Sequence, residues 1–169
     1  MKKIGLISDT HGYLDPAVFH HFEKVDEIWH AGDIGSTEII TQLESFRPAR
    51  MVYGNIDSHD IRIRTQENQH FELEGLRVWM THIGGYPPRY NPSVLKALKA
   101  NPPSLFICGH SHILRVMRDP ALSNLLYINP GAAGIEGFHH VRTILTFTLD
   151  QGKVTDMAVV ELGKRGKQP

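Results

Sequence analysis

Five times along this chain an apolar run of strand length stops at a glycine-flanked polar turn. Ile4 to Ile7 runs into Ser8-Asp9-Thr10-His11-Gly12. Glu27 to His30 runs into Ala31-Gly32-Asp33-Ile34-Gly35, and Arg50 to Tyr53 into Gly54-Asn55-Ile56-Asp57. Farther on, Arg77 to Met80 leads to Thr81-His82-Ile83-Gly84-Gly85, and Leu105 to Cys108 leads to Gly109-His110-Ser111-His112. Short continuous apolar runs bounded by turn residues are how strands buried on both faces read.

Helical patterns separate the first three strands. Asp15-Pro16 supplies an N-cap and a proline at the first helical position, and Phe19, Phe22 and Val25 follow at helical spacing, with His20 and His21 beside that stripe at the surface. Ser36 or Thr37 caps a second helix that buries Ile39, Ile40, Leu43 and Phe46. This βαβαβ succession argues for parallel strands joined by helical crossovers. In such sheets sites form at the carboxyl ends of the strands, which is where the polar turns fall.

The remainder is less regular. Ser58 to Asn68 reads as a loop. Phe71 to Leu73 and Arg77 to Met80 flank Glu74-Gly75 as a hairpin. Tyr86-Pro87-Pro88-Arg89-Tyr90 is a proline-rich loop, whose rings and Arg89 serve either to contact a substrate or as a rigid connection. Asn91-Pro92 opens a helix with Val94, Leu95 and Leu98 on its apolar face. Arg115 to Arg118, Leu125 to Ile128, Thr143 to Leu149 and Val154 to Val160 read as antiparallel strands. Gly131 and Gly134 make a tight turn after Asn129-Pro130, and the basic tail from Gly163 reads as frayed. No repeat or linker interrupts the 169 residues, so one domain over residues 1–169 is expected.

Composition narrows the function classes. Formal net charge is zero, so no global field gathers nucleic acid or an anionic membrane. Met1-Lys2-Lys3 enters a strand pattern with no signal peptide, and no apolar run has the length of a membrane span. The single cysteine, Cys108, allows no intramolecular disulfide and reads as a buried strand residue. A cytoplasmic location is the expectation. The eleven histidines are many for this length, and histidine is the commonest metal ligand.

Asp9-Thr10-His11 sets a carboxylate and an imidazole two residues apart, and in extended backbone such residues point to one side. His110-Ser111-His112 does the same with two imidazoles. Together the five strand ends carry seven side chains able to hold a cation: Asp9, His11, Asp33, Asn55, His82, His110 and His112.

In this order, Asp9-Thr10-His11, Gly32-Asp33, Gly54-Asn55, His82 after a strand and Gly109-His110-Ser111-His112 resemble the motif set of the calcineurin-like metallophosphoesterases. The resemblance runs from Lys3 to about Gly134. With the Asn129-Pro130-Gly131 turn and the short length, it points to the small bacterial and archaeal branch, whose members are typically phosphodiesterases. It implies a four-layer α/β/β/α sandwich of two mixed sheets. It further implies two divalent metal ions, manganese before iron, nickel or zinc: one on Asp9, His11, Asp33 and His112, the other on Asp33, Asn55, His82 and His110, with Asp33 bridging. The implied reaction is attack on a phosphate ester by a metal-bridging hydroxide, with Asn55 also placed to donate to a phosphate oxygen. Other readings are a phosphomonoesterase acting on nucleotides, and a non-catalytic scaffold like the retromer subunit of this fold. The oligomeric state is left open.

One position departs from the pattern. Many larger members follow the asparagine with a histidine thought to protonate the leaving group, and here Ile56 stands there. Asp57 matches the family's acid and reads either as orienting a neighbouring ligand or as capping a turn. His59, His139 and His140 read as loop histidines, with substitute proton donor as the other reading.

Overall fold

The alternation of strands and helices builds two sheets rather than one. The structure, a computed structural model, describes residues 1–166. In chain order it contains β1 (Lys2–Ile7), α1 (Ala17–His21), β2 (Glu27–His30), α2 (Thr37–Phe46), β3 (Ala49–Met51), α3 (His59–Arg62), β4 (Asn68–Leu73), β5 (Leu76–Thr81), β6 (Gly85–Tyr86), β7 (Arg89–Tyr90), α4 (Pro92–Ala100), β8 (Leu105–Ile107), β9 (Leu114–Asp119), β10 (Leu125–Pro130), β11 (Val141–Asp150) and β12 (Lys153–Lys164). One sheet has the order β12-β11-β1-β2-β3 and the other β4-β5-β8-β10-β9. β1, β2 and β3 are parallel, as are β5, β8 and β10, while β11, β12, β4 and β9 join antiparallel.

The period-2 direction of strand side chains sorts the core into layers. Ile4, Leu6 and Trp29 meet Val78, Met80, Leu105 and Ile107 between the two sheets. Their neighbours Ile7 and Ile28 point outward and pack with Val18, Phe22, Ile39, Ile40 and Leu43 of the α1 and α2 layer. On the other sheet Trp79 and Phe106 point outward against Val94 and Leu98 of α4. The result is the α/β/β/α sandwich of two mixed sheets. Gly5 belongs to this packing, because a Cβ there would lie 2.8 Å from the ring of Phe22. Among the described residues no helix is long and apolar enough to cross a membrane.

Several expectations need correction. The stretch from Ser58 to Asn68 is not a plain loop: it holds α3, a bridge between Val52 and Gln66, and the first residue of β4. Ile61 anchors α3 by burying its side chain against the α2 layer. Of the late strands, β10 is antiparallel to β9 but parallel to β8, since the chain reverses twice between β8 and β10. The tail is not frayed from Gly163, because β12 pairs with β11 as far as Lys164. Residues 167–169 lie outside the described residues. The helix at Asp15-Pro16 is only one turn long, with Asp15 accepting the N–H of Ala17 at 2.9 Å.

The Tyr86 to Tyr90 stretch is a two-stranded hairpin with a cis Pro87-Pro88 bond. Tyr90 is buried and donates its hydroxyl to Asp119, and Tyr86 lies under the guanidinium of Arg115. Both rings are therefore engaged within the fold, and the connecting role is the one the packing favours.

Candidate metal centre

All five polar turns meet at one end of the sandwich. The reason is not the extended backbone that Asp-x-His and His-x-His suggest. Asp9, His11, Asp33, His110 and His112 all have positive φ, between 47° and 70°. The left-handed region is disfavoured for residues with a Cβ, though Asp, Asn and His tolerate it best. Concentrating it at five residues in three neighbouring turns requires a fold that over-determines those conformations, the usual mark of a functional site. The turns are laced by backbone bonds: Asp9 N–H to Gly32 C=O, His11 N–H to Asp33 C=O, Gly12 N–H to Ile34 C=O, and Gly109 N–H to His82 C=O, at 2.8–3.1 Å. Glycine is obligatory at the tightest approach, since a Cβ on Gly54 would collide with the carboxylate of Asp33.

Two groups of donor atoms result. Asp9, His11 and His112 form one and Asp33, His82 and His110 the other, with the atoms of each within 4.8 Å of one another. Asp9 Oδ1 lies 3.1 Å from His112 Nε2 and 3.8 Å from His11 Nε2. Asp33 Oδ2 lies between the groups, 3.4 Å from His11 Nε2 and 3.2 Å from His82 Nε2. Asn55 is exposed and lines the same cavity as His82. Three buried atoms in the cluster, Asp9 Oδ1, His11 Nε2 and His82 Nε2, have no hydrogen-bond partner. Orphaned buried polar atoms are costly unless something else satisfies them. A mixed set of imidazole nitrogens and carboxylate oxygens without thiolate fits divalent transition metals.

The electrostatics make the same demand. Burial raises the carboxyl of Asp9, but His11 and His112 overrule it and hold the group below the usual carboxylate range. Asp33 behaves alike, burial being outweighed by His11 and His82. Asp33 and then Asp9 push His11 up to about 10, and His82 is raised by Asp33 and Asp9 against its burial. Without cations, imidazolium groups must supply the positive charge that two buried carboxylates require.

The ring tautomers leave nitrogen lone pairs facing inward. His82 Nδ1 lies 2.7 Å from the carbonyl of Ala31, which can only accept, so Nδ1 carries the proton and Nε2 is free. His139 works through one more ring. Its Nε2 donates to Gly134 C=O at 2.8 Å, so its Nδ1 accepts from His112 Nδ1 at 3.2 Å and leaves His112 Nε2 free beside Asp9. His30 is fully buried and accepts the Gly32 N–H on Nδ1, while Nε2 faces Thr10 Oγ1. Desolvation keeps it neutral, with a pKa lowered to about 4. Metal-ligating histidines are commonly fixed this way.

Of the other residues weighed from the sequence, Asp57 accepts the N–H groups of Gly54, Ile34 and Gly35 and so ties the turn after β2 to the turn after β3. His59 and His140 are exposed, and neither belongs to a donor group. Cys108 is buried behind the site, in the α4 layer, with its thiol pushed up by burial. Sequence reasoning missed His30, the bracing role of His139, and Ser8, whose hydroxyl donates to Asp9 Oδ2 at 2.6 Å. A histidine directly before Ala31-Gly32-Asp33 was the one visible signal.

Comparison with known proteins agrees with this geometry. Residues 1–152 match the family described as the calcineurin-like phosphoesterase superfamily domain. A probable metallophosphoesterase of Methanothermobacter thermautotrophicus is 37% identical over 137 residues, which cover 76% of each chain. A phosphodiesterase of Methanocaldococcus jannaschii is 29% identical, over 76% of this chain and 82% of that one. Among solved structures, a novel archaeal phosphodiesterase superposes with a TM-score of 0.74 at 25% identity, covering 95% of this chain and 99% of that one. Vps29 of Chaetomium thermophilum shares the fold with the same TM-score of 0.74 at 15% identity, over 98% and 100% of the two chains.

Proposed function

The chain belongs to the calcineurin-like phosphoesterase superfamily and is a metal-dependent phosphoesterase, and on that premise we propose that it hydrolyses phosphodiesters using two divalent cations. Asp9, His11 and His112 hold one, and His82, His110 and Asn55 hold the other. Asp33 is shared, because its Oδ2 sits within 3.4 Å of a histidine from each group. That shared position is the observation that carries the reading. Manganese is the favoured ion, with iron, nickel or zinc as alternatives compatible with the same donors. When bound, such a pair supplies a water nucleophile near neutral pH and offsets charge on the phosphoryl oxygens.

The chain's own groups do the positioning. Ser8 and the His110 N–H fix Asp9 Oδ2, which turns Oδ1 inward. The Ile56 N–H does the same for Asp33 Oδ1, leaving Oδ2 between the two groups. His82 and His112 present Nε2 because their other nitrogens are committed. Asn55 is free to give an amide N–H to a phosphate oxygen at the mouth of the cavity. Ile56, which is 45% exposed, gives no proton.

The test is turnover of bis(4-nitrophenyl) phosphate against 4-nitrophenyl phosphate, before and after verified removal of metal and after return of Mn²⁺. Diester turnover that vanishes and returns is expected. A preference for the monoester would favour a phosphomonoesterase. Loss of all turnover in fully metallated protein would favour a scaffold, and activity that survives metal removal would end the mechanism.

A further inference from the structure

Beside Asn55 and His82 the surface opens into a cavity of about 200 Å³, whose wall also includes Tyr53, Arg62, Glu67, Thr81 and Ile83. Among the described residues that line it, Arg62 is the one arginine or lysine. It is held without being used up. Nε donates to the carbonyl of Asp57 at 2.8 Å, and the guanidinium stands over the ring of Tyr53, 4.7 Å from its centroid. Nη2 has only long contacts, 3.5 Å each, to the carbonyls of Gly54 and Asn55. No carboxylate comes within ion-pair distance of it among the described residues, although Glu67 lines the same cavity. A fixed guanidinium with unspent N–H groups, sharing a cavity with two metal-centre residues, is a preorganised site for negative charge.

We propose that Arg62 is a catalytic residue of this centre: it donates to the departing oxygen of the ester and offsets its charge, in a cavity that takes a neutral, ring-sized leaving group. The inference rests on the phosphodiesterase reading. In the step, the oxygen of water bonds to phosphorus and the bond from phosphorus to the ester oxygen breaks. The electron pair stays on that oxygen as an anion. One proton of the water passes to solvent, and the anion takes a proton from solvent after leaving. A guanidinium keeps its protons and cannot supply that one, but it needs none to stabilise the anion. The position matters because Ile56 stands where a proton donor would otherwise be expected. The substrate class follows from the walls. Tyr53 and a 40% exposed Ile83 in those walls suit an aromatic or apolar group.

The experiment compares wild type, Arg62→Ala, Arg62→Lys and the control Arg64→Ala, whose guanidinium is tied to Glu44 and Thr41 on α2. Two readouts are taken on each protein: rates for aryl and alkyl phosphodiesters across leaving-group pKa, and affinity for phenylphosphonate by calorimetry. For Arg62→Ala, a loss of roughly 10²-fold is expected on poor leaving groups, typical of removing one transition-state donor, with a smaller loss on good ones. Phenylphosphonate should bind more weakly, Arg62→Lys should recover part of both, and Arg64→Ala should match wild type. An equal loss for all esters would make Arg62 a positioning residue for Asp57 and would overturn the proposal, as would unchanged phenylphosphonate binding. A wild type that cleaves no phosphodiester while binding two metals would remove the underlying reading instead, which keeps the two failures apart.

Discussion

The two donor groups of the centre are built to different standards of enclosure. In the first group Ser8 and the His110 N–H hold the carboxylate of Asp9, and His139 holds His112. The side chains of Asp9, His11 and His112 are at most 15% exposed. In the second group Asp33 and His82 are just as buried, but His110 is exposed, and His82 opens onto the Arg62 cavity beside the exposed Asn55. Closed sites hold metal, and sites that leave a position open do chemistry on it. On the proposed function, the contrast assigns retention of metal to the first group and contact with substrate to the second, with Asp33 Oδ2 lying between them.

Removing the common side chain should have the largest effect. Asp33→Ala removes the carboxylate nearest to both His11 and His82 and leaves them only the more distant Asp9, at 3.8 Å and 3.9 Å. Phosphodiester hydrolysis is expected to fall to background, and bound metal, measured by elemental analysis, well below that of the wild type. An Asp33→Ala protein that kept full metal and rate would erase the sharing on which the comparison depends.

Proton competition should separate the groups less drastically. His11 is held at about 10 by Asp33 and Asp9, while in the second group burial lowers His110 and the same two carboxylates raise His82. A cation entering the first group must displace the proton on His11. Its affinity should therefore climb about tenfold per pH unit from neutrality toward pH 10, and not level off near 6.5. The stability of metal-free protein carries the opposite sign. The folded pKa of His11 is above its unfolded value, so its contribution is complete below pH 6.5 and is lost as pH rises through about 10. Denaturation midpoints of chelated protein should fall over that window, and those of metal-loaded protein should fall less. A flat profile for chelated protein would mean that the imidazolium is not needed.

The brace on His112 allows a finer cut. His139→Phe keeps a ring in place but removes the acceptor for His112 Nδ1. Losing such a partner typically costs 10–100-fold in metal affinity, and here the cost should fall on the first group alone. Calorimetric titration of metal-free protein should show one step weakened and the other unmoved. Equal weakening of both steps would contradict the separation.

The legibility of these parts in the sequence follows the range of the interactions that make them. Each candidate ligand was visible because it stands at the end of an apolar run, a local signal within a few residues. The parallel strands with helical crossovers were legible from the same runs, whereas the layering into two sheets came only from the family resemblance, and the packing shows it in Ile4 and Leu6 going one way and Ile7 the other. The direction of β10 was not, because it depends on how many reversals the chain makes after β8. His139 was read as a loop histidine, since its partner His112 is 27 residues away and nothing near it in sequence marks the contact. α3 escaped notice because one turn held by a single buried side chain, Ile61, leaves no periodic pattern. With α3 went Arg62, the one arginine or lysine among the described residues lining the cavity. The conformation of the ligands was misread for a different reason. An i, i+2 spacing fits extended backbone, and only the packed turns force Asp9 and His11 into the left-handed region.

The smallest effect concerns the rim of the open group. Ile56 is 45% exposed, and its N–H is bound to Asp33 Oδ1 at 3.1 Å, so its backbone is fixed beside the centre. The side chain can neither give nor take a proton. Leaving oxygens must then depart as anions, and the rate should depend steeply on leaving-group pKa, with aryl diesters far ahead of alkyl diesters. Ile56→His offers an imidazole at the same place. A well-placed general acid contributes about 10²–10⁴-fold and helps poor leaving groups most. A ring set on an open rim lacks that alignment, and misplacement is costly, so about tenfold for alkyl diesters and almost nothing for aryl diesters is the expected gain. The pH profile for alkyl diesters should also acquire a descending limb as the new imidazole loses its proton. That limb distinguishes proton donation from a mere change in how the rim packs. If the ratio of alkyl to aryl rates stays unchanged and no limb develops, the side chain at position 56 does not reach the leaving oxygen, and the open group must owe its substrate contacts to Asn55 and Arg62 alone.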